Sequence, residues 1–112
     1  MATRLLPAAR EDLRQAAAYY RAIPPPRWGR QLADRFWGAF RAALARVTAM
    51  PVSRPEHPEM AGVHLVRFSK FPYIVFYVVD EKGIVVVAVE HNASDHAVRV
   101  LKRIGGSPPS RP

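Results

Sequence analysis

The sequence predicts an α+β fold in which a helical hairpin covers one face of a small antiparallel sheet. Three observations carry this prediction: helical periodicity in two early segments, a triple proline between them, and three short apolar runs in quick succession later in the chain. Helices followed by a run of strands are typical of an α+β arrangement. The predicted order is β-α-α-β-β-β, to which a short C-terminal helix can be added.

The first part of the chain is predicted to be a short strand and a helix. The strand covers Thr3 to Leu6, and Pro7 suits the first turn of a helix because its missing N–H has no partner there in any case. The triple proline at 24–26 ends this helix. From Ala9 to Ala22, apolar residues recur at the spacing of one helical face: Ala9, Leu13, Ala16, Ala17 and Tyr20.

A longer helix is predicted from Arg27 to Ala49, antiparallel to the first because the connection is short. Trp28 and Trp37 flank its apolar face, and tryptophan is the residue type that most often dominates binding at interfaces. Trp37 is the better candidate for a partner anchor, whereas Trp28 is expected to pack at the rim. The apolar face consists of Leu32, Phe36, Phe40, Ala43, Leu44 and Val47.

Three strands are predicted after a loop over Met50 to Gly62. Val63 to Phe68 alternates between two faces, whereas Tyr73 to Val79 and Ile84 to Val89 are apolar throughout and should be central strands covered on both sides. Asp80 to Gly83 forms the hairpin between them, with glycine where a positive φ is needed.

The last part of the chain is predicted to be a short helix and a tail. In the segment Ser94 to Ile104, the residues Ala97, Val98, Leu101 and Ile104 share one helical face. Residues 105–112 are rich in Gly, Ser and Pro and are expected to form a flexible tail. We therefore expect one domain over residues 1–104, which fits a length of 112 residues.

Composition narrows the class of function. The 17 basic residues exceed the 9 acidic ones, giving a formal charge of +8, which attracts nucleic acid, the ribosome, an acidic membrane face or an acidic partner protein. The absence of cysteine excludes disulfides, thiolate metal sites and cysteine nucleophiles, and it fits a cytoplasmic protein. We recognise no signal peptide, and the apolar runs are too short to cross a bilayer.

Three stretches carry a resemblance to a known family. Residues 7–13 read PAAREDL and are followed by Tyr19-Tyr20, residues 71–77 read FPYIVFY, and residues 85–91 read VVVAVEH. Together they resemble the RelE/ParE superfamily of toxins from bacterial type II toxin–antitoxin pairs, and specifically its ParE branch. The pattern departs after His91, where the family often has an Arg-Arg-Asp-Pro-like stretch and this chain has NASDH.

This resemblance implies a toxin that binds and poisons DNA gyrase. It also implies a ParD-like antitoxin that neutralises the toxin in a hetero-oligomeric complex. The candidate partner-binding residues are Trp37, Arg67, Arg99, Lys102 and Arg103. The divergent C-terminal segment also leaves open a non-toxic interaction module that has lost its activity.

An mRNA endonuclease acting on the ribosome is the alternative within the same superfamily. Its chemistry needs a general acid or base and cations for the phosphorane charge, for which His91, Arg67 and Arg99 are the candidates. The two central strands contain no basic residue, which favours the protein-binding toxin over an enzyme. His91 would then only cap the sheet through hydrogen bonds.

The remaining polar candidates give weaker signals. Arg67 shares its predicted strand face with apolar neighbours, so it either binds an acidic partner or pairs with Glu90 or Asp80. The four histidines have no spacing typical of metal ligands. We expect neither a metal nor another cofactor.

Overall fold

The computed structural model of this protein describes residues 2–50, 55–92, 100 and 102–104. Two helices and five strands follow one another in the order β-α-α-β-β-β-β, so the predicted α+β class is confirmed. None of the described helices is long and apolar enough to span a bilayer. The elements are β1 Ala2–Leu5, α1 Pro7–Arg21, α2 Pro26–Ala49, β2 Glu56–His57, β3 Met60–Arg67, β4 Tyr73–Asp80 and β5 Gly83–His91.

The helical hairpin forms as predicted, but α2 is rotated relative to the predicted face. The buried residues of α1 belong to the predicted stripe, whereas Leu32 and Leu44 of α2 are only half-buried. Gly29 and Ala33 are buried instead, and a Cβ on Gly29 would overlap the carbonyl oxygen of Arg21. Small residues therefore let the helices approach closely near their connection. The buried residues of α2 are Gly29, Ala33, Phe36, Phe40, Ala43 and Val47.

The sheet has the strand order β1-β5-β4-β3-β2. The prediction that β4 and β5 are central is confirmed, and their apolar sequences fit because both faces of each are covered. Two expectations are wrong. The segment predicted as a loop over Met50 to Gly62 contains β2 and the start of β3, and β1 pairs with β5 in parallel, which makes the sheet mixed.

A bulge in β5 divides its apolar run between two cores. Phe76 pairs with Ala88 and Tyr77 pairs with Val86, so Val87 is the extra residue. The helices cover one face of the sheet, with residues such as Phe36 and Tyr77 in that core. The second face has a separate core, composed of Met60, Val63, Ile74, Phe76, Val85, Val87, Ala88 and, from the C-terminal segment, Val100.

The described part of the predicted C-terminal helix buries Val100, a residue that the predicted apolar face does not include. Ile104 N–H donates to the carbonyl oxygen of Val100 at 3.2 Å, which is a helical hydrogen bond. Val100 is fully buried on the second face of the sheet, whereas Ile104, placed on the predicted apolar face, is 36% exposed. The other members of the predicted face, and the predicted tail, lie outside the described residues. We call Val100 and residues 102–104 the C-terminal turn.

The hairpin between β4 and β5 is a tight turn closed by Asp80. Its carboxylate accepts hydrogen bonds from the N–H groups of Lys82 at 2.9 Å and Gly83 at 3.0 Å. Gly83 has φ of +136°, as the predicted glycine position requires. A Cβ on Gly83 would also overlap the carbonyl oxygen of Ala2, so the absence of a side chain at this position allows β1 to pack beside β5.

Candidate functional site

An open, mainly apolar groove of about 650 Å³ lies between the helical hairpin and the turn that joins β3 to β4. Its volume is within the range of protein clefts that bind ligands or peptide side chains. Both helices contribute to it, so the groove exists only when the hairpin is folded onto the sheet. It is lined by Tyr20, Leu32, Arg35, Ala39, Ser69, Lys70 and Phe71.

The floor of this groove is formed by the rings of Tyr20 and Phe71, which belong to a larger aromatic cluster. The rings of Tyr20 and Phe71 are 5.1 Å apart and nearly perpendicular, and the ring of Phe36 lies 5.6 Å from each of them. Tyr73 continues the cluster 5.4 Å from Phe36. Such interlocked rings are stiff, which favours a preformed surface. Burial raises the pKa of Tyr20 and of Tyr73 above the ordinary value for tyrosine.

Two cations, Arg35 and Lys70, lie beside this apolar floor, and none of the described residues that line the groove is acidic. Lys70 has φ of +69°, a left-handed conformation that is uncommon for residues other than glycine. Strained positions of this kind concentrate at binding sites. The groove is therefore suited to an apolar segment that also carries carboxylates.

The two tryptophans differ from each other in their exposure. Trp28 is 57% exposed and lies against Leu32 and Arg35 in a shallow pocket that adjoins the groove. Trp37 is half-buried, with its ring 6.0 Å from Phe36 and 6.4 Å from Phe40. The tryptophan most available to a partner is therefore Trp28, and the anchor role of Trp37 stays a prediction.

The strand pairing separates the two candidate nuclease residues. His91 pairs with Tyr73, and their rings are 5.4 Å apart on the face that the helices cover. Arg67 pairs with Ile74, which belongs to the core of the second face. Adjacent rows of a sheet point to opposite faces, so His91 and Arg67 point away from each other. They do not converge on one reacting group.

Arg67 is exposed and lies in a second basic region. The Arg46 guanidinium donates a hydrogen bond to the carbonyl oxygen of Arg67 at 2.6 Å, and both residues line a shallow pocket of about 280 Å³. Among the described ion pairs, Asp80 binds Arg4 at 2.5 Å instead of Arg67, so that alternative is wrong. Glu90 is separated from Arg67 by the intervening strand, because both pair with Ile74.

A partly buried ion pair that the sequence did not predict joins α1 to the C-terminal turn. Both oxygens of Asp12 accept hydrogen bonds from Arg103, one of them at 3.0 Å, and Asp12 Oδ2 also accepts the N–H of Val89 at 2.9 Å. The hydrogen bonds to Asp12 raise the pKa of Arg103. The sequence does contain one indication of this burial: Asp12 lies at the spacing of the buried stripe of α1, three residues after Ala9 and four before Ala16.

The other predicted partner-binding residues are divided between described and undescribed parts of the chain. Lys102 is exposed in the C-terminal turn, and Arg99 lies outside the described residues. The guanidinium of Arg103 is occupied by Asp12, although its predicted role in partner binding stays a prediction. Within the described ranges, no group of three or more His, Cys, Asp or Glu residues is placed to hold a metal ion.

Comparison with known proteins identifies relatives of this arrangement. Residues 3–96 match the family model described as the ParE toxin of the type II toxin–antitoxin system parDE. No curated protein sequence matches the chain. Two solved structures share the fold: a chain of the chromosomal ParDE system from P. aeruginosa and a chain of the RelBE2 toxin–antitoxin complex from Mycobacterium tuberculosis.

The similarity to these two structures lies in the fold. The P. aeruginosa chain has a TM-score of 0.65 and 15% sequence identity, and the match covers 81% of this chain and 95% of that one. The M. tuberculosis chain has a TM-score of 0.52 and 22% identity, with coverage of 83% and 92%. The match thus extends over nearly the full length of both relatives.

Proposed function

The chain belongs to the ParE toxin family of type II toxin–antitoxin systems, and we propose that it binds and poisons DNA gyrase in the cytoplasm. A cognate ParD-like antitoxin neutralises it in a hetero-oligomeric complex. The observation that carries the proposal is the family match over residues 3–96. The solved relatives, which come from a ParDE system and a RelBE2 complex, support a partner protein of the same kind.

The groove between the hairpin and the sheet is the surface that supports antitoxin binding best. Its aromatic floor offers apolar contact, and Arg35 and Lys70 match the carboxylates of an acidic amphipathic segment. Trp28 extends this surface at the Leu32 end. The net charge of +8 adds a long-range attraction for an acidic partner.

Substitutions at the rim test the groove without disturbing its core. We expect Arg35→Glu to weaken antitoxin binding by about tenfold, or about 1.4 kcal/mol, because it reverses a charge beside an apolar contact. Lys70→Gly removes a second cation while relieving the left-handed backbone, so it should weaken binding and raise thermal stability together. Arg41→Glu, on an exposed position outside the groove, is the matched control.

Calorimetry of the purified complex provides the measurement. Dissociation constants equal to wild type in both groove variants would exclude this surface from the antitoxin interface. Trp37→Ala and Trp28→Ala are compared in the same assay, with a loss of about 1–3 kcal/mol expected for an anchor. The result then identifies which tryptophan contacts the partner.

The separation of His91 and Arg67 supports the proposal of gyrase over mRNA as the target. A nuclease needs its proton-transferring group and its cations around one phosphate, whereas these two side chains occupy opposite faces of the sheet. The central strands β4 and β5 also carry no Lys or Arg. A toxin that acts by binding needs no such convergence.

His91→Ala separates the two activities. In a gyrase poison it should leave gyrase-dependent DNA cleavage within about twofold of wild type, whereas a lost general acid or base costs about 10²–10⁴ in rate. The purified chain is assayed with gyrase and supercoiled DNA, and in parallel with translating ribosomes and mRNA. Ribosome-dependent mRNA cleavage that His91→Ala abolishes at unchanged thermal stability would overturn the gyrase proposal. No growth arrest by the wild-type chain without antitoxin would indicate a non-toxic module.

A further inference from the structure

The partly buried ion pair between Asp12 and Arg103 connects parts of the chain that none of the described strand pairings connects. Arg103 Nη2 donates to Asp12 Oδ1 at 3.0 Å, Arg103 Nη1 donates to Asp12 Oδ2, and Nη1 also reaches the carbonyl oxygen of Val87 at 3.3 Å. The N–H of Val89 donates to the same carboxylate at 2.9 Å. One carboxylate on α1 thus holds both the bulged part of β5 and the C-terminal turn.

Both side chains of the pair are largely shielded from water, so each charge depends on the other for stabilisation. The Asp12 side chain is 13% exposed and the Arg103 side chain 20% exposed. When one partner of such a pair is removed, the other charge is left in a poorly solvated site, which costs much more than losing a surface ion pair. The two-pronged geometry also fixes the orientation of the guanidinium, which a lysine at the same position would not do.

An apolar contact also attaches the C-terminal turn to the sheet. Val100 is fully buried in the core of the second face, among residues such as Val85 and Val87. Between Val100 and Arg103 lies Lys102, whose side chain is exposed. The apolar contact of Val100 and the ion pair of Arg103 lie on either side of Lys102, so together they determine the direction in which the Lys102 side chain points.

We propose that Asp12 is a positioning residue of the toxin: through its ion pair with Arg103 it fixes the C-terminal turn on the second face of the sheet and so orients the exposed Lys102, a predicted partner-binding residue, for contact with the target. The functional half of this inference rests on the proposed toxin activity. The attachment itself is independent of the target. Asp12 does not touch the target and acts through the segment it holds.

Conservative substitutions isolate the ion pair from the hydrogen bond to β5. Asp12→Asn keeps an oxygen that can accept the Val89 N–H but loses the charge that Arg103 needs. Arg103→Lys keeps the positive charge but loses the paired hydrogen bonds of the guanidinium, and Arg103→Gln loses both the charge and the paired hydrogen bonds. Glu11→Gln is the matched control, because Glu11 is the adjacent acid on α1 and its partner is the exposed Arg14.

Hydrogen exchange by mass spectrometry on the full chain tests the attachment. We expect Asp12→Asn and Arg103→Gln to accelerate exchange in peptides containing residues 100–104 by about tenfold or more, with Arg103→Lys intermediate and α2 unchanged. Glu11→Gln should match wild type throughout. Unchanged exchange at the C-terminal turn, or equal acceleration in every element, would overturn the inference, since the latter reports only a loss of global stability.

Growth arrest in cells and antitoxin affinity test the positioning role. A released turn should reduce growth arrest at equal expression by about tenfold or more in Asp12→Asn, while the antitoxin dissociation constant remains within about twofold of wild type. Wild-type growth arrest in a variant whose turn exchanges freely would overturn the positioning role. If the wild-type chain causes growth arrest but does not act on gyrase, the gyrase proposal fails. The inference about Asp12 is then decided by the hydrogen exchange and growth arrest of its variants alone.

Discussion

Replacing Phe36 with alanine probes the part of the structure on which the groove depends. Phe36 is fully buried in α2 and belongs to the core that the helices form with the sheet. Its ring meets five other aromatic rings at centroid distances of 5.1 to 6.0 Å, two of them in the floor of the groove.

The expected loss combines two effects. Returning a buried aromatic side chain to water costs about 1.5–3 kcal/mol in transfer free energy. The surrounding rings are held by one another and by both helices, so the site should collapse poorly, and the cavity raises the total to about 3–5 kcal/mol. That is a large share of the ~5–15 kcal/mol by which a domain of this kind is stable.

Equilibrium unfolding in urea measures the effect. The midpoint should fall at an unchanged dependence on denaturant, because the fold and its buried surface are retained. Trp28→Ala on the same helix is the control, since this side chain is 57% exposed and its removal should change stability by less than about 0.5 kcal/mol. A loss below about 1 kcal/mol for Phe36→Ala would refute the buried aromatic cluster, and with it the preformed groove.

Three further predictions concern other contacts of the fold. Phe40→Ala should cost about 3 kcal/mol in urea unfolding, and a loss below about 1 kcal/mol would mean that α2 buries a different face. Gly83→Ala should cost about 2 kcal/mol or more and accelerate hydrogen exchange in β1, because a Cβ would overlap Ala2 and strain a φ of +136°; unchanged exchange in β1 would contradict this. Stability should fall as the pH rises from about 10, since burial raises the folded-state pKa of Tyr20 and Tyr73 and the unfolded chain ionises first; Tyr20→Phe should flatten this fall, and an identical slope in the variant would refute it.

Local sequence patterns were sufficient to predict the helices and the central strands. The stripe of α1 and the ends of α2 follow from apolar spacing and from the prolines beside them. The uninterrupted apolar runs of β4 and β5 indicate burial on both faces. The rotation of α2 escaped prediction because Gly29 and Ala33 contribute little hydrophobicity, although their small size is what permits close packing.

Pairings between distant residues could not be predicted in the same way. The parallel pairing of β1 with β5 and the bulge at Val87 depend on how the sheet and the helices pack in the folded protein. The spacing of apolar residues within one segment does not indicate such packing. The pair between Asp12 and Arg103 joins residues 91 positions apart. The groove likewise combines α1, α2 and the turn after β3, so its lining could be identified only from the tertiary structure.

The placement of β1 has a consequence for the order in which the chain can fold. Ala2 pairs with Gly83 and Leu5 with Val86, so β1 is synthesised about eighty residues before the strand that receives it. Contacts of such long sequence separation slow folding, because a large loop must close before the pairing stabilises it. During synthesis, residues 2–5 must therefore remain unpaired with β5 while both helices and the first strands of the sheet are completed. A nascent chain stopped before residue 83 cannot form the native edge of the sheet and would expose the edge of β4 beside which β5 normally lies.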